Sequence, residues 1–176
     1  RWDGYRRYLS DITGLEVETF EASDYNGVVQ ALAAGQVDLA QFGAGSYANV
    51  DAQVGNLVAP ILVVRQAEGN TGYYSALMVK AQSPFRSIED LRGRSIGYVD
   101  YNSTSGYIYP RHVLRRQGKD PDSFFREAVM AGGHIEVMMA LSRNQVDAAM
   151  VNVSGGTPDI LSLIHISEPT RQRQPS

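Results

Sequence analysis

The sequence contains no cysteine, which excludes a disulfide framework, a thiol nucleophile and every cysteine-based metal site. Long hydrophobic runs are also missing. The most extended one, Leu57-Val58-Ala59-Pro60-Ile61-Leu62-Val63-Val64, falls far short of the roughly 20 apolar residues that cross a bilayer, so no membrane insertion is expected of this chain. Positive charge is not in surplus: 16 Lys and Arg stand against 19 Asp and Glu, for a net charge of -3. Without a basic block or an aromatic-interleaved Lys/Arg stripe, a nucleic-acid footprint is not expected. A small anion would therefore have to be held by local dipoles and hydrogen bonds. The chain opens at Arg1-Trp2-Asp3 without a charged-then-apolar leader, and its natural start is expected to lie upstream.

What is present alternates between two periods. Tyr5 to Ile12 places apolar residues at helical spacing and stops at Gly14. Glu16–Ala22 alternates polar and apolar, as a half-buried strand does. A helix follows with Ser23 or Asp24 as its cap, Val28, Val29, Ala31 and Leu32 inward and Gly35 at its end. Val37–Phe42 reads as a short strand, and Gly43-Ala44-Gly45-Ser46-Tyr47 as a turn into another helix. Further strands are expected at Ile61–Val64, Ala76–Lys80, Ser95–Val99, Ala128–Met130 and Val146–Val151, with helices at Ile88–Leu91, Tyr107–Gln117 and Ile135–Arg143. This rhythm predicts α/β layering with a largely parallel sheet.

A repeat points to two units. Ala31-Leu32-x-x-x-Gln36-Val37-Asp38-x-Ala40 returns as Ala140-Leu141-x-x-x-Gln145-Val146-Asp147-x-Ala149, each copy being a helix end, a tight turn and a strand start. The expected layout is a first α/β lobe, partial, over 1–75, a crossover strand over 76–82 and a second lobe over 83–160. Ligands favour the cleft of such a pair. The stretch from Leu161 to Arg171 reads like one frame of a sequencing-library adapter, so 161–176 is expected to be a non-native tail and is set aside from the fold; the plainer alternative is a short amphipathic strand.

The chemistry concentrates at Asn102-Ser103-Thr104-Ser105-Gly106-Tyr107, where a strand passes through a small-residue turn into a helix. Amides at a helix start lack intrahelical partners and the macrodipole adds roughly half a positive charge there. Three consecutive hydroxyls add donors, Gly106 allows close approach, and Pro110 should restart the helix. The competing account is that Asn102 or Ser103 only caps a helix. No Gly-Lys-Ser/Thr follows, which removes a Walker loop, and Gly43-x-Gly45 lacks the third glycine of a dinucleotide fingerprint. No nucleophile with a base, paired carboxylates or metal cluster is apparent, so neither catalysis, nor a cofactor, nor a metal site is expected.

The chain resembles the phosphate, phosphite and phosphonate substrate-binding proteins of ABC transporters. The likeness rests on Val37–Gly43 running into Ser46-Tyr47, on Gly72-Tyr73-Tyr74-Ser75, on Ser83-Pro84 before Asp90-Leu91-Arg92-Gly93, on Asn102–Tyr107 with Pro110, and on Ala131-Gly132-Gly133-His134. It implies a two-lobed type II periplasmic-binding-protein-like fold, here incomplete at both ends, that captures a phosphorus oxyanion between its lobes and works with a transporter permease. It also implies a periplasmic or lipid-anchored extracytoplasmic setting. Carried over residue by residue, the resemblance assigns binding to Tyr47, Tyr73, Ser103, Thr104, Ser105 and His134, with Ser46 and Ser154 as lesser candidates. Members that prefer an aminoalkyl phosphonate carry an acid after the second Val-Asp strand, where this chain has Asn152-Val153-Ser154-Gly155. That departure points towards phosphite, phosphate or a simple alkylphosphonate. The alternative is a ligand-sensing domain of a signalling or regulatory protein with the same fold.

Overall fold

The computed structural model describes residues 2–65, 69, 71–154 and 163–166. Three helices come first: α1 (Asp3–Thr13), α2 (Tyr25–Ala33) and α3 (Ala44–Val54). Each boundary has a local cause. Gly14 takes a left-handed φ of 71° behind α1, and Asp24 caps α2 by accepting from the Gly27 amide at 2.8 Å. Gly43 caps α3, its amide donating to Ser46 Oγ at 3.1 Å while that hydroxyl donates back to the Gly43 carbonyl.

All strands lie later in the chain: β1 (Tyr74–Lys80), β2 (Ser95–Tyr98), β3 (Glu127–Met130), β4 (Ala148–Val153) and β5 (Leu163–Ile166), in the sheet order β3-β2-β4-β1-β5. The β2/β3, β2/β4 and β1/β5 pairs are parallel, and β1 runs antiparallel to β4. Helices cover both faces, as a mainly parallel sheet requires. Period-2 alternation sorts the side chains: Leu77, Val79, Ile96, Tyr98, Ala148 and Met150 face one way, towards Leu114 of α4 (Tyr109–Arg116) and Phe124 of α5 (Pro121–Phe124). Ala76, Ala149 and Val151 face the other, towards Val137, Ala140 and Leu141 of α6 (His134–Ser142). Arg111 of α4, only 8% exposed, holds Asp122 at 2.8 and 2.7 Å and stacks over Tyr107, 4.9 Å from its centroid.

Three expected strands do not form. Residues 16–22, 37–42 and 61–64 carry no ladder, because alternation specifies which face a strand would bury but a strand also needs a neighbour to bond, and the described residues provide none. Their apolar side chains stay in water: Phe20, Leu39 and Ile61 through Val64 are all exposed, Leu62 at 81%. In the other direction, Leu163–Ile166, set aside on sequence grounds, forms β5 against β1, Leu77 opposite Leu163 through Lys80 opposite Ile166. The β1 edge offers a free row of amides and carbonyls there.

The repeat holds at the level of individual hydrogen bonds. The Gln36 amide donates to the Ala31 carbonyl at 2.8 Å and that of Gln145 to Ala140 at 2.9 Å; Gly35 bonds Leu32 at 3.0 Å and Asn144 bonds Leu141 at 3.2 Å. Gly35 and Asn144 are both left-handed, with φ of 68° and 58°. The copies then diverge. Asp147 Oδ2 accepts from the Ser95 amide at 2.9 Å and its hydroxyl at 2.8 Å, fastening the start of β2, whereas Asp38 is exposed and makes no recorded bond among the described residues.

Candidate functional site

The end of β2 leads into a turn built on Asp100. Its Oδ1 accepts from the Asn102 amide at 2.7 Å, and its carbonyl from the Ser103 amide at 2.9 Å. Ser103 Oγ then accepts from Gly106 at 3.0 Å. Thr104–Ile108 wind as a single π-turn before α4, which Pro110 enters in its first turn, where no amide is needed. Such wide turns recur at functional sites. A Cβ on Gly106 would drive into Val99 and come within 2.8 Å of Ser103 Oγ, so glycine is required there by the packing of the turn on its own strand.

The helices of the first unit close on this turn. The Gly45 amide, at the start of α3, donates to Thr104 Oγ1 at 2.7 Å. Asn49 Nδ2 donates to Asn102 Oδ1 at 2.9 Å, and the Tyr25 amide to Asp100 Oδ2 at 3.3 Å. The approach at α3 depends on bare backbone. A Cβ on Gly43 would lie 3.0 Å from the Tyr73 hydroxyl and 3.1 Å from Thr104 Oγ1, so these two hydroxyls converge on the Gly43 Cα. A Cβ on Gly45 would collide with Ile108 and stand 2.9 Å from the Asn102 carbonyl.

The residues singled out by resemblance thus divide. Tyr73 and Thr104 meet at Gly43, with their hydroxyls beside the first amides of α3. Ser103 is 1% exposed and works as the cap of the π-turn. Ser105 is buried, its carbonyl accepting from Ser75 Oγ at 2.7 Å. Ser46 is buried and engaged in the Gly43 capping box. Tyr47 is half-buried on α3, and among the described residues its hydroxyl has no recorded bond to the others. His134 opens α6, and its Nδ1 accepts from the Asn152 amide at 3.3 Å. Ser154 is exposed just beyond β4.

Beside the turn lies a cavity of about 280 Å³, walled by the α2 start (Asp24, Tyr25, Val28), Phe42, Ser46 and the α6 start (Gly132, Gly133, Glu136). At roughly 30 Å³ per water in the liquid, it has room for a small oxyanion with a short substituent. Two acidic side chains stand on its wall: Asp24 bonds the Gly27 amide, and the Glu136 carboxylate lies over Gly133. Of the expected residues only Ser46 lines this cavity. Tyr25 lines it and was not signalled by sequence, because its contact with Asp100 spans 75 residues. Its phenol is pushed above the ordinary tyrosine range by burial, opposed by a hydrogen bond from Ser103, while the Asp100 charge and Tyr73 add to the rise.

A family model described as "ABC transporter, phosphonate, periplasmic substrate-binding protein" matches residues 1–158. The chain is 32% identical over 154 residues to the phosphate-import protein PhnD of Mycolicibacterium smegmatis, covering 84% of this chain and 48% of that protein. It is 31% identical over 157 residues to the phosphonates-binding periplasmic protein of Escherichia coli, covering 86% and 45% respectively. The chain thus spans about half the length of the curated relatives it matches. Among solved structures, a binding-protein component of an ABC phosphonate transporter from Pseudomonas aeruginosa superposes with a TM-score of 0.75 at 28% identity, over 86% of this chain and 51% of that one. PhnD1 of Prochlorococcus marinus in complex with methylphosphonate superposes at 0.73 with 21% identity, over 86% and 57%, a likeness of fold.

Proposed function

The chain belongs to the family of periplasmic phosphonate substrate-binding proteins of ABC transporters, and on that premise we propose that it contributes the site at which a small phosphorus oxyanion is captured for import. The observation that carries this reading is the convergence of the Tyr73 and Thr104 hydroxyls on Gly43, beside the Gly45 amide at the start of α3. The Gly45 amide donates to Thr104 Oγ1 and so leaves the Thr104 proton to be given, and hydroxyl donors gathered in this way at a helix start bind an oxyanion without a cationic side chain, in keeping with a net charge of -3. In this reading Thr104 and Tyr73 bind the oxyanion directly, His134 binds it from the start of α6, and Ser103 holds the turn. Ser105, Ser46, Tyr47 and Ser154 have supporting or outer places.

Residues 1–75 act as one lobe, 76–82 as the crossover and 83–160 as the other lobe. Delivery is to a permease, and the protein works outside the cytoplasm, in the periplasm or held by a lipid anchor. With Asn152-Val153-Ser154-Gly155 where a carboxylate would receive an amine, the ligand is phosphite, phosphate or a simple alkylphosphonate. The family match and its curated relatives favour import over a sensing role.

Calorimetric titration with methylphosphonate, phosphite and phosphate tests the reading. Binding of at least one is expected, and binding of none overturns it. Thr104→Ala should weaken that binding by about 1.5–3 kcal/mol, the scale of a hydrogen bond to a charged group; unchanged affinity would reduce the turn to a helix cap.

A further inference from the structure

A run of side-chain amides joins the two units beside the turn. Gln30 Nε2 on α2 donates to Gln53 Oε1 on α3 at 3.0 Å, and Gln53 Nε2 donates to Asn49 Oδ1, one helical turn back, at 3.0 Å. Asn49 Nδ2 then crosses to Asn102 Oδ1 at 2.9 Å. Gln53 and Asn49 each accept at oxygen and donate from nitrogen, so the run is ordered head to tail. It also returns to its start. The Asn102 backbone amide donates to Asp100 Oδ1 at 2.7 Å, and Asp100 Oδ2 accepts from the Tyr25 backbone amide, again on α2, at 3.3 Å.

Gln30 and Gln53 are exposed, whereas Asn49 and Asn102, which make the crossing, are half-buried. Asn49 lies four residues after Gly45 and so on the same face of α3. The helix therefore grips the turn at two points one helical turn apart, Gly45 at Thr104 Oγ1 and Asn49 at Asn102 Oδ1. An oxyanion taken by Thr104 bears on the first grip. The second is made by side chains with no assigned ligand contact.

Resting on the oxyanion reading above, we propose that Asn49 is a positioning residue: with Asn102 it clasps α3 to the turn, keeps Thr104 against the Gly45 amide, and slows release of the bound oxyanion without touching it. Gln53 and Gln30 hold the Asn49 amide in place for that crossing. A contact that must break before a ligand leaves acts on the dissociation rate more than on association.

The test is stopped-flow binding of methylphosphonate, phosphite and phosphate, read from intrinsic fluorescence, on the chain, Asn49→Ala, Asn102→Ala and the double variant, beside urea unfolding of each without ligand. Dissociation should quicken about three- to tenfold in either single variant, the range of one hydrogen bond between neutral groups, while association stays within about twofold. The double variant should release no faster than the faster single one, since either substitution opens the same clasp. Unchanged release in Asn49→Ala, or effects that multiply in the double variant, would overturn the assignment. Slowed association with a changed m-value in both single variants would mark a general loosening of the fold and overturn it too. If the unsubstituted chain binds none of the three anions, the oxyanion reading fails and the role of Asn49 in release falls with it.

Discussion

Asp147 and Asp38 occupy the same place in the repeat and allow a prediction with an internal control. Replacing Asp147 by Ala removes one carboxylate oxygen that accepts from both the amide and the hydroxyl of Ser95, at 2.9 and 2.8 Å. Ser95 is buried, so its amide is left without water to replace the lost acceptor. A hydrogen bond to a charged group contributes about 1.5–3 kcal/mol, and a stranded buried donor costs about 1–3. The two bonds share an oxygen and do not add in full. The Ser95 hydroxyl also keeps its bond from the Asp147 amide at 3.0 Å. The expected loss is therefore about 2–4 kcal/mol in the free energy of unfolding, with Asp147→Asn losing about half of that. Asp38→Ala, on an exposed carboxylate without a partner among the described residues, should stay within about 0.5 kcal/mol of the parent. Urea unfolding followed by circular dichroism measures both, and equal m-values would show that the unfolded state is unchanged. An Asp147→Ala chain as stable as its parent, or an Asp38→Ala chain equally weakened, would refute the argument.

Two further outcomes follow from the cleft and from the surface. Gly45→Ala sets a methyl against Ile108 and the Asn102 carbonyl, so α3 must retreat and the 2.7 Å bond to Thr104 is lost; stability to urea should drop by about 1–3 kcal/mol, the usual cost of overpacking, and an unchanged unfolding curve would mean that the approach of α3 is dispensable. The Asp122 carboxyl is held below its ordinary value chiefly by its hydrogen bond with Arg111. Its contribution to stability is therefore fully present above the ordinary carboxylate value and disappears as pH falls through the lowered one. The stability gap between the parent and Asp122→Asn should accordingly close on acidification, and a gap that widened would reverse the sign of the argument.

Helices were legible wherever their ends carried a residue with a backbone job: Gly14 behind α1, Asp24 before α2, Gly43 before α3. Strands were legible only where a neighbour existed. Ala76–Lys80 and Ser95–Val99 alternate no more clearly than Glu16–Ala22, yet β1 and β2 gain ladders from β4 while 16–22 gains none. The turn at Ser103–Gly106 could be read locally because strand, small residues and helix follow one another in sequence. Its hydroxyls could not be apportioned in the same way. Ser103 and Ser46 are committed to caps, Thr104 is engaged from across the cleft by Gly45, and the tyrosine on the cavity wall next to the turn is Tyr25. Hydroxyl spacing supplies candidates, whereas contacts across 59 and 75 residues decide which of them reach the cleft, and no local pattern encodes those.

The paired left-handed residues Gly35 and Asn144 bear on how substitutions in this chain should be judged. What the two copies share at that point is a dihedral angle, and glycine and asparagine are the residues that adopt it at least cost. By side-chain chemistry Gly and Asn are dissimilar, and Ala is the nearest replacement for Gly. At these positions the order inverts: exchanging Gly and Asn keeps the turn, while Ala puts a Cβ where the chain must turn left-handed. Alignments of the two halves, and libraries built on them, are better scored here by backbone angle than by side-chain chemistry.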